Sequence, residues 1–140
     1  MSFTNRELEI LDVAYQTFLP KEYALRLFSE KNPNAGYEAW AIHELILGFL
    51  IRGMQARKHQ KPDLKVDGIG IQFKAGADPS GWSWQAKDFK KHPETELHLF
   101  VAAYNEDSWK KMEDFLNINN IIFEARDLGR SGWKVILAKA

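Results

Sequence analysis

The stretch "KPDLKVDGIGIQFKAG", residues 61–76, decides how the chain reads. Asp67-Gly68 between alternating apolar residues is a strong short-range hairpin signal, so two antiparallel strands are predicted around it. With Asp67 and Gly68 as the turn, Val66 pairs with Ile69, and Asp63 falls opposite Gln72. Lys74 is then the diagonal neighbour on the same face. Sliding the turn to Gly68-Ile69 puts Asp63 opposite Lys74 instead and still leaves all three on one face, because side chains alternate with period two. Val66, Ile69, Ile71 and Phe73 point the other way, toward a core. A carboxylate, an amide oxygen and an ammonium on one cross-strand face suit an oxyanion or metal site. Mg²⁺ favours one or two carboxylates supplemented by carbonyls, waters and substrate phosphate. The same residues also suit an ordinary surface Asp-Lys pair, which contributes only about 0.2–1 kcal/mol.

Before the hairpin, Thr4-Asn5-Arg6-Glu7 has the Thr-x-x-Glu capping form, and Leu8, Leu11, Val13, Ala14, Tyr15 and Phe18 recur with helical spacing. A first helix to about Phe18 is predicted. Pro20 suits a helix start, and "KEYALRLFSEK" continues as a short second helix to the "NPNAG" break. "YEAWAIHELILGFLIRGMQARKH" predicts a long third helix from Tyr37 to about His59, basic at its C-terminal end and aiming Arg52, Arg57 and Lys58 at the hairpin. After the hairpin, "ELHLFVAAY" suits a strand buried on both faces. Asn105 caps a helix carrying Trp109, Met112, Phe115 and Leu116 and ending near "NINN". "IIFEAR" and "WKVILAK" are a final pair of strands. The expected order is two N-terminal helices followed by α-β-β-β-α-β-β.

The chain has 140 residues, 45% apolar and 13% aromatic, enough to bury one core, so a single domain over 1–140 is expected. With no cysteine, disulfides, thiolate catalysis and cysteine zinc sites are excluded, and a metal must be held by oxygen or histidine. No export signal and no apolar run near the roughly 20 residues of a membrane span is evident, so a cytoplasmic, non-secreted protein is expected. The formal net charge is zero, but its distribution is uneven. Residues 1–50 carry four Lys/Arg against seven Asp/Glu, residues 51–92 nine against four, and residues 93–140 six against eight. The excess positive charge therefore surrounds the hairpin, as nucleic-acid contact requires and as a solvated lysine-rich face would also show.

Proline-aspartate at 62–63 followed by Gln-x-Lys at 72–74, after a long helix and before strand, helix and strand, resembles the PD-(D/E)XK nuclease superfamily. The resemblance covers about 36–125 and implies a restriction-endonuclease-like α-β-β-β-α-β core, an α/β (α+β) fold with a mixed sheet flanked by helices. "GYEAWAIHELILGFLIRGMQARKHQKPDL" is similar to the opening of archaeal-type Holliday junction resolvases, in which a glutamate on the first core helix joins the metal site. That likeness points to Glu38. Glu44 is the alternative, about 240° further round the helix, so both cannot face one site. The resemblance implies hydrolysis of DNA phosphodiesters, branched-DNA resolvase-like or restriction/homing-like. Mg²⁺, or Mn²⁺ in its place, would be held by Asp63, Gln72, the Phe73 carbonyl and Glu38, with Lys74 as the catalytic cation. Gln72 stands where the family has a second acid, as in some intron-encoded homing enzymes. A silent DNA-binding or interaction module on the same fold is the alternative. A chain this small would cut two strands as a homodimer or tetramer, nucleoid-associated on its DNA.

Further DNA contacts are expected from Arg52, Arg57, Lys58, Lys61 and Lys65, and from "SGWSWQAKDFKKHP". There Trp82 and Trp84 could stack on bases, Lys87, Lys90 and Lys91 bind phosphates, and Gln85 opens a Gln-x-x-x-aromatic pattern found in exonuclease-like branches of the superfamily. Packing of the tryptophans onto the sheet accounts for them as simply. Asp67 is explained by its turn. No histidine pair has metal spacing, no serine sits in a nucleophile setting, and "GIGIQFKAG" lacks a nucleotide-loop pattern.

Overall fold

In the computed structural model, the residues described are 2–31, 37–76, 89, 95–129 and 132–140. Thr4 opens helix α1 (Asn5–Phe18) through a complete capping box: the Thr4 hydroxyl accepts from the Glu7 N–H, and the Glu7 carboxylate accepts from the Thr4 N–H. A 3₁₀ turn over Leu19–Lys21, with Pro20 in its first positions, leads into α2 (Glu22–Lys31). Helix α3 spans Tyr37–Ile51.

The structure ends α3 eight residues before the expected boundary near His59 and uses Ala56–Lys58 as a strand, β1. The stop is a Schellman motif. Gly53 adopts φ 77, its N–H donates to the Leu50 carbonyl at 3.0 Å, and the Met54 N–H reaches back to Phe49 at 3.0 Å. Met54 and Phe49 are both buried, the apolar contact that accompanies this cap. The basic residues after it therefore do not extend the helix.

The remaining elements are β2 (Leu64–Val66), β3 (Ile69–Gly76), β4 (Leu97–Ala103), α4 (Glu106–Ile118), β5 (Ile122–Asp127) and β6 (Trp133–Lys139). The Asn105 side chain caps α4 by accepting from the Ser108 N–H at 2.8 Å. The strands form a mixed six-stranded sheet in the order β1-β2-β3-β4-β6-β5, with β3 and β4 parallel and the other neighbours antiparallel. The fold is α+β, and the strand count exceeds the expected one by β1.

Side chains of alternate parity fill two cores. On one face Leu64, Val66, Ile71, Phe73, Leu97, Leu99, Val135 and Leu137 pack under α1, α2 and α3. On the other, Phe100, Ala102, Ile136 and Ala138 pack with Met112 and Leu116 of α4 and with Phe89. Strand β4 contributes to both and is buried from Leu97 to Ala102, as a continuous apolar run requires. No helix among the described residues is long and apolar enough to cross a membrane.

Candidate functional site

The hairpin takes the register centred on Asp67-Gly68: Val66 pairs with Ile69, Lys65 with Gly70 and Leu64 with Ile71. The ladder ends at Leu64–Ile71, one residue short of the expected Asp63–Gln72 pair. Phe73 is fully buried in the α1–α3 core, stacked at 6.3 Å on Phe18, so its neighbours Gln72 and Lys74 project from the opposite face. Gln72 is half-buried and Lys74 exposed.

The decisive feature is a difference in strand length. Strand β2 begins at Leu64, whereas β3 runs on to Gly76, so the β3 edge beyond Ile71 has no β2 partner. Buried backbone groups need partners, and side chains supply them. The Asp63 carboxylate (Oδ2) accepts from the Phe73 N–H at 3.0 Å, and the Glu38 carboxylate accepts from the Ala75 N–H. The Phe73 carbonyl leaves the strand on the same side as its N–H. Two carboxylates and one backbone carbonyl therefore line a single stretch of strand edge. Glu38 feels the charges of both Lys74 and Asp63. Burial pushes its carboxyl above the ordinary carboxylate range, and Asp63 adds to that, against the lowering pull of Lys74 and of the Ala75 N–H.

Glu44, a full face away on α3, is engaged elsewhere: its carboxylate pairs with Lys21. Helical spacing left Glu38 and Glu44 open, and the structure brings Glu38 to Asp63 and Lys74. Asp67 is structural. At φ 50 it accepts from the Gln55 N–H at 2.7 Å and pairs with Arg6 at 2.8 Å, tying β2 to α1.

Among the described residues no three His, Cys, Asp or Glu side chains gather as a metal-binding group. The donors on the β3 edge are two carboxylates, the Phe73 carbonyl and, on the adjoining face, the Gln72 amide. That all-oxygen set fits a hard cation such as Mg²⁺ or Mn²⁺ and does not suit zinc.

The basic residues divide. Arg57 on β1 pairs in register with Lys65 on β2, on the face that carries Gln72 and Lys74, and Lys58 and Lys61 are exposed nearby. Arg52, expected to contact DNA, is exposed and also bonded within the chain. It donates to the Gly48 carbonyl at 3.0 Å and to Gln16 Oε1 at 2.8 Å, closing the end of α3 onto α1. Trp82, Trp84, Gln85, Lys87, Lys90 and Lys91 lie outside the described residues. His98 is buried between Phe89 and Phe100, with ring centroids at 4.1 and 6.1 Å, and His43 is exposed on α3. His59 Nδ1 lies 3.0 Å from the Lys61 carbonyl within the β1–β2 loop.

Sequence reasoning did not find the Phe73 and Ala75 N–H groups that hold the two carboxylates. Their role depends on where β2 stops, and the only trace of that is Pro62, which has no N–H to extend the ladder.

Neither a family model, nor a curated protein, nor a solved structure matches this chain.

Proposed function

We propose that the chain is a Mg²⁺-dependent DNA endonuclease with a restriction-endonuclease-like core. The reading is carried by one observation: the open β3 edge, where Asp63 and Glu38 are held on consecutive outward N–H groups with Lys74 beside them. With β1 included, α3-β1-β2-β3 reads as the α-β-β-β opening of that core. The parallel neighbour β4 follows across 77–96, long enough for the crossover that parallel pairing needs.

Asp63, Glu38, Gln72 and the Phe73 carbonyl would hold the ion. When bound, it supplies Lewis-acid polarisation of a phosphate oxygen and a water of lowered pKa. The chain's own groups do the rest. The Phe73 and Ala75 N–H groups fix the two carboxylates on one side of the strand, so their geometry is set before substrate arrives. Lys74 sets a positive charge beside the place where negative charge develops on a phosphodiester, and its exposure leaves it free to approach one. Arg57 and Lys65, with Lys58 and Lys61, contact flanking phosphates, which fixes the register of the duplex without reading its sequence. Such a protein works on nucleoid DNA, resolvase-like or restriction/homing-like.

A silent DNA-binding module on the same fold is favoured by Gln72, which brings an oxygen but no charge where a second acid would strengthen metal binding. Linear and four-way DNA incubated with the wild type, Asp63→Ala and Lys74→Ala, with and without Mg²⁺, separates the two. Metal-dependent cutting by the wild type alone supports the endonuclease. Binding without cutting supports the module, and equal cutting by all three proteins rejects the site.

A further inference from the structure

The two edges of the sheet are chemically different. At one end β1 is three residues long and carries Arg57 and Lys58, two like charges that repel a second copy of the same edge. At the other end β5 is six residues long, and no described strand pairs with its outer side. Which backbone groups face outward there follows from one bond. The Leu128 N–H donates to the Trp133 carbonyl at 2.8 Å, continuing the β5–β6 register, so even-numbered backbone groups on β5 point to β6. The N–H and C=O groups of Phe123, Ala125 and Asp127 therefore point away from the sheet.

Three outward residues spaced by two suit an antiparallel partner. If that partner is the same strand related by a two-fold axis at Ala125, then Ala125 faces Ala125 and Phe123 faces Asp127 of the second copy as hydrogen-bonded pairs. This register uses all three outward residues. It also puts Glu124 of each copy opposite Arg126 of the other at non-hydrogen-bonded positions, where facing side chains come closest. Glu124 and Arg126 now pair with each other within the strand at 3.1 Å, on the face whose neighbours are Leu137 and Val135. The Glu-Ala-Arg triplet is thus self-complementary only when read antiparallel.

We propose that β5 is a dimerisation edge, on which a second copy of this chain pairs antiparallel about Ala125 and joins the two sheets into one. The part of the β3 edge that no described strand pairs lies in the other half of the sheet, so the inference stands or falls independently of the nuclease reading.

Sedimentation equilibrium from 1 to 100 µM tests it with the wild type, Glu124→Arg, Arg126→Glu and an equimolar mixture of the two variants, with circular dichroism to verify folding. The wild type is expected at twice the single-chain mass. Each variant alone puts like charges opposite each other and is expected to raise the dissociation constant tenfold or more. The mixture, in which each charge again meets its opposite, is expected to recover the doubled mass. A wild type at single-chain mass throughout would overturn the proposal, as would variants that dimerise unchanged or a mixture that fails to recover.

Discussion

Asp63 does two things that substitution can separate. Its Oδ2 satisfies the Phe73 N–H, a part-buried donor at a strand edge that β2 does not reach, and its charge faces Glu38 and Lys74. Asp63→Ala removes the acceptor and leaves the donor without a partner. That costs about 1–3 kcal/mol, and in a chain of this length each kcal/mol lowers the thermal midpoint by roughly 3–4 °C. Asp63→Asn keeps an oxygen on the same N–H and is expected to lose less than about 1 kcal/mol. Toward metal the two variants are expected to behave alike: both remove one of two carboxylates, so Mn²⁺ affinity should fall at least about tenfold in each, since even outer partners of a metal ligand are worth 10–100-fold. Thermal melts in metal-free buffer and calorimetric Mn²⁺ titrations measure the two effects separately. If Asp63→Ala melts with the wild type, the hydrogen bond does not hold the edge. If Asp63→Asn binds Mn²⁺ as tightly as the wild type, the carboxylate is not a ligand and the reading of the site fails.

Three further outcomes are expected. Gln72→Glu adds a third carboxylate next to the Phe73 backbone that holds Asp63, so it should tighten Mg²⁺ binding while lowering stability without metal, where like charges gather; a weaker Mg²⁺ isotherm would remove Gln72 from the site. The Glu7 carboxyl is partly buried, which works to raise it, yet its bonds to Lys139 and Thr4 bring it below its ordinary 4.5. Its stabilisation is therefore present above that value and lost as pH falls through the lower folded one, so Glu7→Gln should cost about 1 kcal/mol near pH 7 and converge with the wild type in strong acid. Urea unfolding at several pH values measures this, and a pH-independent difference would refute it. Gly53→Ala forces a side chain into φ 77 at the end of α3 and should lose about 1 kcal/mol in the same assay, whereas no loss would deny the left-handed cap its role.

Much of the fold is legible in local chemistry. Thr4 and Asn105 mark helix starts, Asp67-Gly68 marks the turn, and the unbroken apolar run at 97–102 marks a central strand. β1 is not legible, because Ala56-Arg57-Lys58 has neither length nor apolar alternation and becomes a strand only by pairing with β2. The third helix is expected too long because the basic residues after Gly53 suit a helix C-terminus electrostatically, while the glycine itself stops the chain. In the site, period-two alternation puts Gln72 and Lys74 on one face, whereas Asp63 lies just before β2 and turns its carboxylate to the Phe73 N–H at the strand edge, which alternation does not contain. The choice of Glu38 over Glu44 rests on tertiary partners, Lys21 for one and the Ala75 N–H for the other, which no periodicity contains. Arg52 shows the converse: its charge suggests phosphate, and its position at the junction of α1 and α3 ties it to Gln16 and Gly48.

Single-turnover cleavage of end-labelled linear and four-way DNA, with the wild type and Lys74→Ala side by side and Mg²⁺ added or chelated, bears most directly on the central claim. The expected result is cutting by the wild type that needs Mg²⁺ and falls by about 10²–10³-fold in Lys74→Ala, the scale on which removing one stabilising group from a reaction centre acts. Cutting that survives chelation, or that is the same in Lys74→Ala as in the wild type, would contradict it.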